Sequence, residues 1–195
     1  MRKAILHLKR ADPVLRSVID RVGAYRIQYR EPSFETLVRS IVYQQLSGKV
    51  AAVIFGRLAA AVPGGLTPEA ILKLTPARIR KCGLSKQKTA YIRDLARKTA
   101  RGHLDFEALP GLPDEEVIAR LTQVKGIGVW TAHMFLMFAL ERPNVLPTGD
   151  LGIRSAIRKA YGFDELPHPK QIEELAAGWH PYCSVASWYL WRSLE

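Results

Sequence analysis

A cap residue followed directly by proline recurs along this chain, at Asp12-Pro13, Thr67-Pro68 and Thr75-Pro76. Proline is accommodated in a helix only in the first turn, where its missing N–H costs no internal hydrogen bond. The preceding Asp or Thr side chain accepts from an amide of that same turn. Each pair therefore marks a helix start. Behind the first come Val14, Leu15, Val18, Ile19 and Val22 at helical spacing, with Gly23 ending the run. Ser33 precedes a second such set (Phe34, Leu37, Val38, Ile41, Val42), Ser47 a third (Val50, Val53, Ile54, Leu58), and Ser85 a longer one reaching Gly102. Further helices are expected from Asp114, over 129–140, over 150–161 with Gly162 as terminator, and from His168-Pro169 and Pro181. No period-two run or Asn-Gly hairpin signal interrupts the series. The expected fold class is all-α, ten or more short helices with short connections.

Such a chain can bury a real core, since hydrophobic residues make up 48% of its 195 positions. Charge narrows the partner. Lys and Arg number 29 against 18 Asp and Glu, a net charge of +11, as expected of a protein that binds a polyanion. The cations at Arg78, Arg80, Lys81, Lys86, Lys88, Arg93, Arg97, Lys98 and Arg101 are spread over folded segments rather than gathered in a tail. The apolar stretch near 132–140 is too short to span a bilayer, and the basic N-terminus lacks the apolar core of a signal peptide. Two cysteines, Cys82 and Cys183, form no CxxC pair, and the five histidines lack zinc spacing. A reducing cytoplasm is the expected compartment.

Two amphipathic segments meet at Leu121-Thr122-Gln123-Val124-Lys125-Gly126-Ile127-Gly128-Val129-Trp130-Thr131-Ala132. Glycine at 126 and 128 permits positive φ and close approach of another backbone, and Ile127 between them is expected to fill the seam between the helices. The first amides of the second helix, with its dipole behind them, suit a phosphate and read no base sequence. An ordinary turn between helices would use one glycine as a cap; the longer pattern favours the hairpin.

This segment resembles the hairpin of the helix-hairpin-helix DNA glycosylase superfamily, in which a Gly/Pro-rich loop and an aspartate follow. Here Pro147-Thr148-Gly149-Asp150-Leu151 lies about twenty residues beyond Gly128. Tyr43-Gln44-Gln45-Leu46-Ser47 is similar to the Gln-Gln-Leu/Ile-Ser signature of the 3-methyladenine DNA glycosylase II branch. Trp179-His180-Pro181-Tyr182, followed by Ser184 and Trp188, is similar to that branch's C-terminal aromatic motif. The sequence departs from the branch at Met134, where an aromatic is common, and at Cys183, where an arginine is common.

The resemblance implies a two-lobed helical core, with 34–138 as one lobe and 1–33 plus 139–195 as the other, and without the N-terminal β domain of larger relatives. It implies base flipping, with Leu46 as the wedge beside Gln45, although a leucine at a helix end is also an ordinary core residue. Lys125, Gly126, Ile127, Gly128 and Thr131 would complete the DNA-binding set. Asp150 would stabilise the oxocarbenium-like sugar as the N-glycosidic bond breaks. A helix N-cap is its local alternative, and the two roles are compatible, because a helix N-terminus favours negative charge.

Lysine-dependent members of the superfamily carry the Schiff-base amine at the position of Trp130, so strand cleavage is not expected. Trp130 and Trp179 would sandwich a cationic alkylated purine, with Tyr43 and Met134 also lining the pocket; each tryptophan has core packing as its alternative. No cofactor is required and no iron–sulfur cluster is expected, although backbone carbonyls of Thr122, Val124 and Gly126 would hold Na+ or K+ by resemblance. The expected function is monofunctional excision of alkylated purines from double-stranded DNA by a monomer acting on the nucleoid, with no membrane partner. Deaminated or mismatched bases as substrates, or a non-catalytic DNA-binding module, remain the alternatives.

Overall fold

A computed structural model describes residues 1–62 and 64–195, and every regular element among them is helical. In order these are α1 (Arg2–Ala11), α2 (Pro13–Val22), α3 (Phe34–Tyr43), α4 (Gly48–Ala60), α5 (Pro68–Lys73), α6 (Pro76–Lys81) and α7 (Lys86–Ala100). They are followed by α8 (Asp114–Thr122), α9 (Val129–Phe138), α10 (Leu151–Tyr161), α11 (Pro169–Leu175) and α12 (Cys183–Arg192). The caps behave as their chemistry requires. Asp12, Ser33, Ser47, Thr67, Thr75 and Ser85 each accept from the amide three residues on, an interaction worth about 1 kcal/mol apiece.

Side-chain caps are absent at the starts of α1, α8 and α12, where the cap positions are Met1, Pro113 and Tyr182. α1 is also crowded with cations, so its buried positions, Ala4 and Leu8, a turn apart, are its mark as a helix. α12 starts at Cys183, two residues later than Pro181 suggests. No helix is long and apolar enough to cross a membrane, among the described residues.

The chain divides into two compact units. The terminal unit comprises Met1–Tyr29 and Leu136–Glu195. Its innermost element is α12, buried continuously over 183–190 and packed on α2 and α10. Asp12 ties this unit together while capping α2. Its Oδ1 accepts from Leu15 N at 2.9 Å, and its Oδ2 accepts from Tyr161 Oη at 2.6 Å and Trp179 Nε1 at 2.9 Å. A buried carboxylate satisfied on both oxygens fixes three segments at one point.

The central unit, Arg30–Phe135, is organised around α7, on which α3, α5 and α6 pack. Leu37, Ile41, Ile71, Ile79, Ile92 and Leu95 are fully enclosed there. Each such side chain contributes about 1.5–3 kcal/mol by leaving water.

Candidate active site

Pro147–Asp150 forms a tight turn in the terminal unit, with Asp150 N donating to Pro147 O at 2.9 Å, and delivers Asp150 to the head of α10. The loop before it is fastened to α12 by Ser184, whose Oγ donates to Arg142 O (2.6 Å) and accepts from Val145 N (2.9 Å). Asp150 is the N-cap of α10. Its Oδ1 accepts from Ile153 N at 2.8 Å and also from the indole N–H of Trp191 at 2.8 Å. Two N–H donors and the positive end of a helix therefore face one carboxylate, itself only 9% exposed. Trp191 is in turn stacked on Phe138, ring centroids 5.9 Å apart and planes inclined by 27°.

Gly152 makes this approach possible. A Cβ there would lie 2.9 Å from Trp191 Cδ1 and 3.0 Å from Asp150 Oδ1. Neither Trp191 nor Gly152 announces itself in the sequence: the tryptophan lies 41 residues from its acceptor, and the glycine sits in the first turn of a helix.

The central unit carries an open pocket of about 930 Å³. It brings together Tyr43, Gln45, Leu46 and Met134 with Trp130, Thr131, Gly126 and Gly128 of the hairpin region. Leu46 is 38% exposed and Trp130 half exposed, so both present apolar surface to solvent. Gln45 adopts a left-handed φ of 56°, rare for a residue with a side chain and typical of functional turns. Tyr43 has the Arg39 guanidinium over its ring at 4.0 Å. Ile127, in the turn between α8 and α9, is buried, 3% exposed, as a residue filling the seam between the two helices would be.

The two hairpin glycines differ in kind. Gly126 has a φ of 82°, and a Cβ on it would fall 2.0 Å from Tyr91 Cδ2, so both conformation and space require glycine. Gly128 has an ordinary φ and nothing within 4 Å of where its Cβ would be. Of the positive φ that glycine permits at both positions, only the first makes use. At the second, a Cβ would point into open space.

Trp179 requires a larger correction. It is fully buried in the terminal unit, its N–H spent on Asp12, and it cannot stack on a ligand. The Trp-x-Pro motif that suggested a pocket wall instead serves the core. Lys125 is exposed, and its backbone N–H donates to Asp94 Oδ2 at 3.0 Å. Of the carbonyls expected around a cation, Val124 O accepts from Ile127 N at 3.0 Å and Gly126 O from Gln44 Nε2 at 2.8 Å. Among the described residues no group of His, Cys, Asp or Glu is arranged to hold a metal. Both thiols are buried, and burial pushes Cys183 up to about 12, so neither provides a thiolate nucleophile at neutral pH.

Residues 38–181 match a family described as HhH-GPD superfamily base excision DNA repair protein. A Schizosaccharomyces pombe protein named DNA-3-methyladenine glycosylase 1 is 35% identical over 198 residues, covering 98% of this chain and 86% of that protein. Among solved structures, the S. pombe 3-methyladenine DNA glycosylase Mag1 in complex with abasic DNA superposes with a TM-score of 0.86 at 35% identity. That match covers 97% of this chain and 95% of the other. A DNA-3-methyladenine glycosidase from Bacillus halodurans superposes with a TM-score of 0.87 at 38% identity, covering 96% and 87% respectively.

Proposed function

Because the chain belongs to the HhH-GPD superfamily of base excision DNA repair proteins, we propose that it is a DNA glycosylase that excises alkylated purines of the 3-methyladenine type from double-stranded DNA. The observation that carries this reading is the carboxylate of Asp150, held by Ile153 N and Trp191 Nε1 at the head of α10. A protein that only gripped DNA would gain nothing from a fixed negative charge beside an anionic backbone.

In the proposed reaction the C1′–N bond breaks, its electron pair leaves with the base, and water supplies the new C1′–O bond while losing a proton. Positive charge accumulates on the sugar as this happens, and Asp150 stabilises it. An alkylated purine departs from a cationic ground state as a neutral molecule, so it needs no general acid. Trp130 stacks on the extruded base, with cation–π attraction favouring the charged form. Leu46, presented by the strained Gln45 turn, fills the gap left in the duplex. Gly128, Thr131 and the Lys125 side chain anchor the backbone phosphates at a hairpin whose shape Gly126 and the buried Ile127 set.

An indole at 130 offers no amine for a Schiff base, so the reaction stops at an abasic site without strand cleavage. We place it in the cytoplasm, on nucleoid DNA, in a monomer. The carbonyls of Thr122, Val124 and Gly126 would hold a sodium or potassium ion. Val124 and Gly126 each keep a second oxygen lone pair beyond the bond they already accept, and the ion would add positive charge beside the anchored phosphate.

Incubation with methylated duplex and, in parallel, with deaminated duplex, each followed by chromatography of released bases, tests the reading. Free 3-methyladenine is expected from the wild type, and none from Asp150→Asn at undiminished duplex affinity. Release of deaminated bases instead would reassign the substrate, and unchanged release by the variant would remove Asp150 from the chemistry. A borohydride-trapped DNA adduct would overturn the monofunctional assignment.

A further inference from the structure

Two turns of the central unit that the proposed function assigns to DNA, the Gln44–Leu46 turn and the Lys125–Gly126 hairpin, are far apart in sequence. Both are gripped by side chains from a third element, α7. At its first turn Lys88 extends its ammonium to the end of α3, donating to Val42 O at 2.7 Å and Gln44 O at 2.6 Å. A cation on the last carbonyls of a helix also complements its dipole. Lys88 has no carboxylate partner among the described residues, so these carbonyls are what hold it.

Three residues further along α7, the Tyr91 ring occupies the space that a Cβ on Gly126 would take, and its hydroxyl is held by Gln87. Three residues beyond that, Asp94 accepts the backbone N–H of Lys125 at 3.0 Å and is itself braced by Lys98 and Arg97. A direct strut completes the frame: the Gln44 amide donates to Gly126 O at 2.8 Å.

We propose that Lys88, Tyr91 and Asp94 are positioning residues, one face of α7 that sets the wedge turn and the phosphate-binding hairpin at a fixed separation. None of the three needs to touch DNA. Phosphate docking at the hairpin then delivers Leu46 to the stack in register, and the strained φ of 56° at Gln45 is sustained because Lys88 holds the carbonyl just before it. The inference rests on the reading of Leu46 as wedge and of the hairpin as anchor.

The test compares full-length wild type, Lys88→Met, Lys88→Arg, Gln44→Ala and Leu46→Ala on methylated duplex, measuring single-turnover excision, duplex affinity and thermal melting. Lys88→Met is expected to slow excision by about tenfold or more, the order expected when a reacting geometry is loosened by a fraction of an ångström. Affinity should stay within about twofold and its salt dependence should be unchanged, because the phosphate contacts persist. Lys88→Arg should recover most of the rate. Gln44→Ala, a change on the surface side of the frame, should slow excision in the same sense even if Lys88→Met folds poorly.

If Leu46→Ala slows excision while Lys88→Met and Gln44→Ala match wild type, the positioning role is wrong and the site reading stands. Equal losses of rate and affinity in Lys88→Met, with a shallower salt slope, would make Lys88 a phosphate contact and overturn the proposal. If Leu46→Ala itself matches wild type, it is the wedge reading that fails.

Discussion

Trp191 donates its indole N–H to the Oδ1 atom of Asp150, the same oxygen that caps α10 through Ile153 N. The proposed catalytic carboxylate is thus oriented by the last helix of the chain. Trp191→Phe keeps the stack on Phe138 and removes only the donor. A hydrogen bond to a charged group is worth about 1.5–3 kcal/mol, so excision is expected to slow by roughly ten- to a hundredfold, with little change in duplex affinity. Single-turnover rates on methylated DNA check this, and an unchanged rate would leave the indole a purely structural role.

Gly152→Ala should act on the same contact from the other side, its methyl entering the space of the Trp191 ring and the Asp150 oxygen. A loss similar to that of Trp191→Phe is expected. The double variant should be scarcely slower than either single one, since residues serving one interaction are not additive. Full additivity would mean that the two act separately.

The hairpin glycines should separate stability from binding. Gly126→Ala forces both a strained φ and a methyl into Tyr91; it is expected to lower the melting temperature and weaken duplex binding together. Gly128→Ala has room within the protein and should leave stability within about 0.5 kcal/mol, as for an ordinary surface change, while duplex affinity falls. Melting curves beside binding isotherms distinguish the two, and equal affinity for Gly128→Ala and wild type would exclude close backbone approach at that position.

Trp179→Phe should cost stability, not specificity. It removes a buried donor from Asp12, a loss of about 1–3 kcal/mol readable by denaturant titration. The profile of bases released by the folded fraction should match wild type. A changed profile would return Trp179 to the pocket.

Asp94 should make the hairpin support acid-sensitive. Burial alone pushes its carboxyl up, but the Lys125 N–H and the Lys98 and Arg97 cations outweigh that and hold it below the usual carboxylate range. A folded value below the unfolded one gives stability that is complete above the unfolded value, about 4, and lost as pH falls through the folded value. The melting gap between wild type and Asp94→Asn should be widest at neutral pH and close as pH falls through the lowered folded value. A gap independent of pH would mean that the carboxylate charge is not its source.

The helices were legible because caps and apolar spacing are local, and six of the side-chain caps lie where Asp, Ser and Thr mark them. α1 escaped because its cap position is a methionine and its surface cations mask two buried residues. The hairpin and Asp150 stood out through spacing along the chain. The tryptophans did not: an indole suits a core, a pocket or a hydrogen bond equally well. Only tertiary structure sends Trp179 to Asp12 and Trp191 to Asp150. The α7 supports were invisible for the same reason, since Lys88 reads as one more cation among 29.

A guanidinium already lies against the Tyr43 ring, supplied by Arg39 from one turn earlier in α3. In the proposed reading, a positively charged purine brought to that tyrosine would meet a like charge, so Tyr43 would screen ligands by shape and Trp130 would provide the attraction for charge. The two selections are separable: neutralising Arg39 should widen what the enzyme accepts, and replacing Trp130 should blunt its preference for cationic bases.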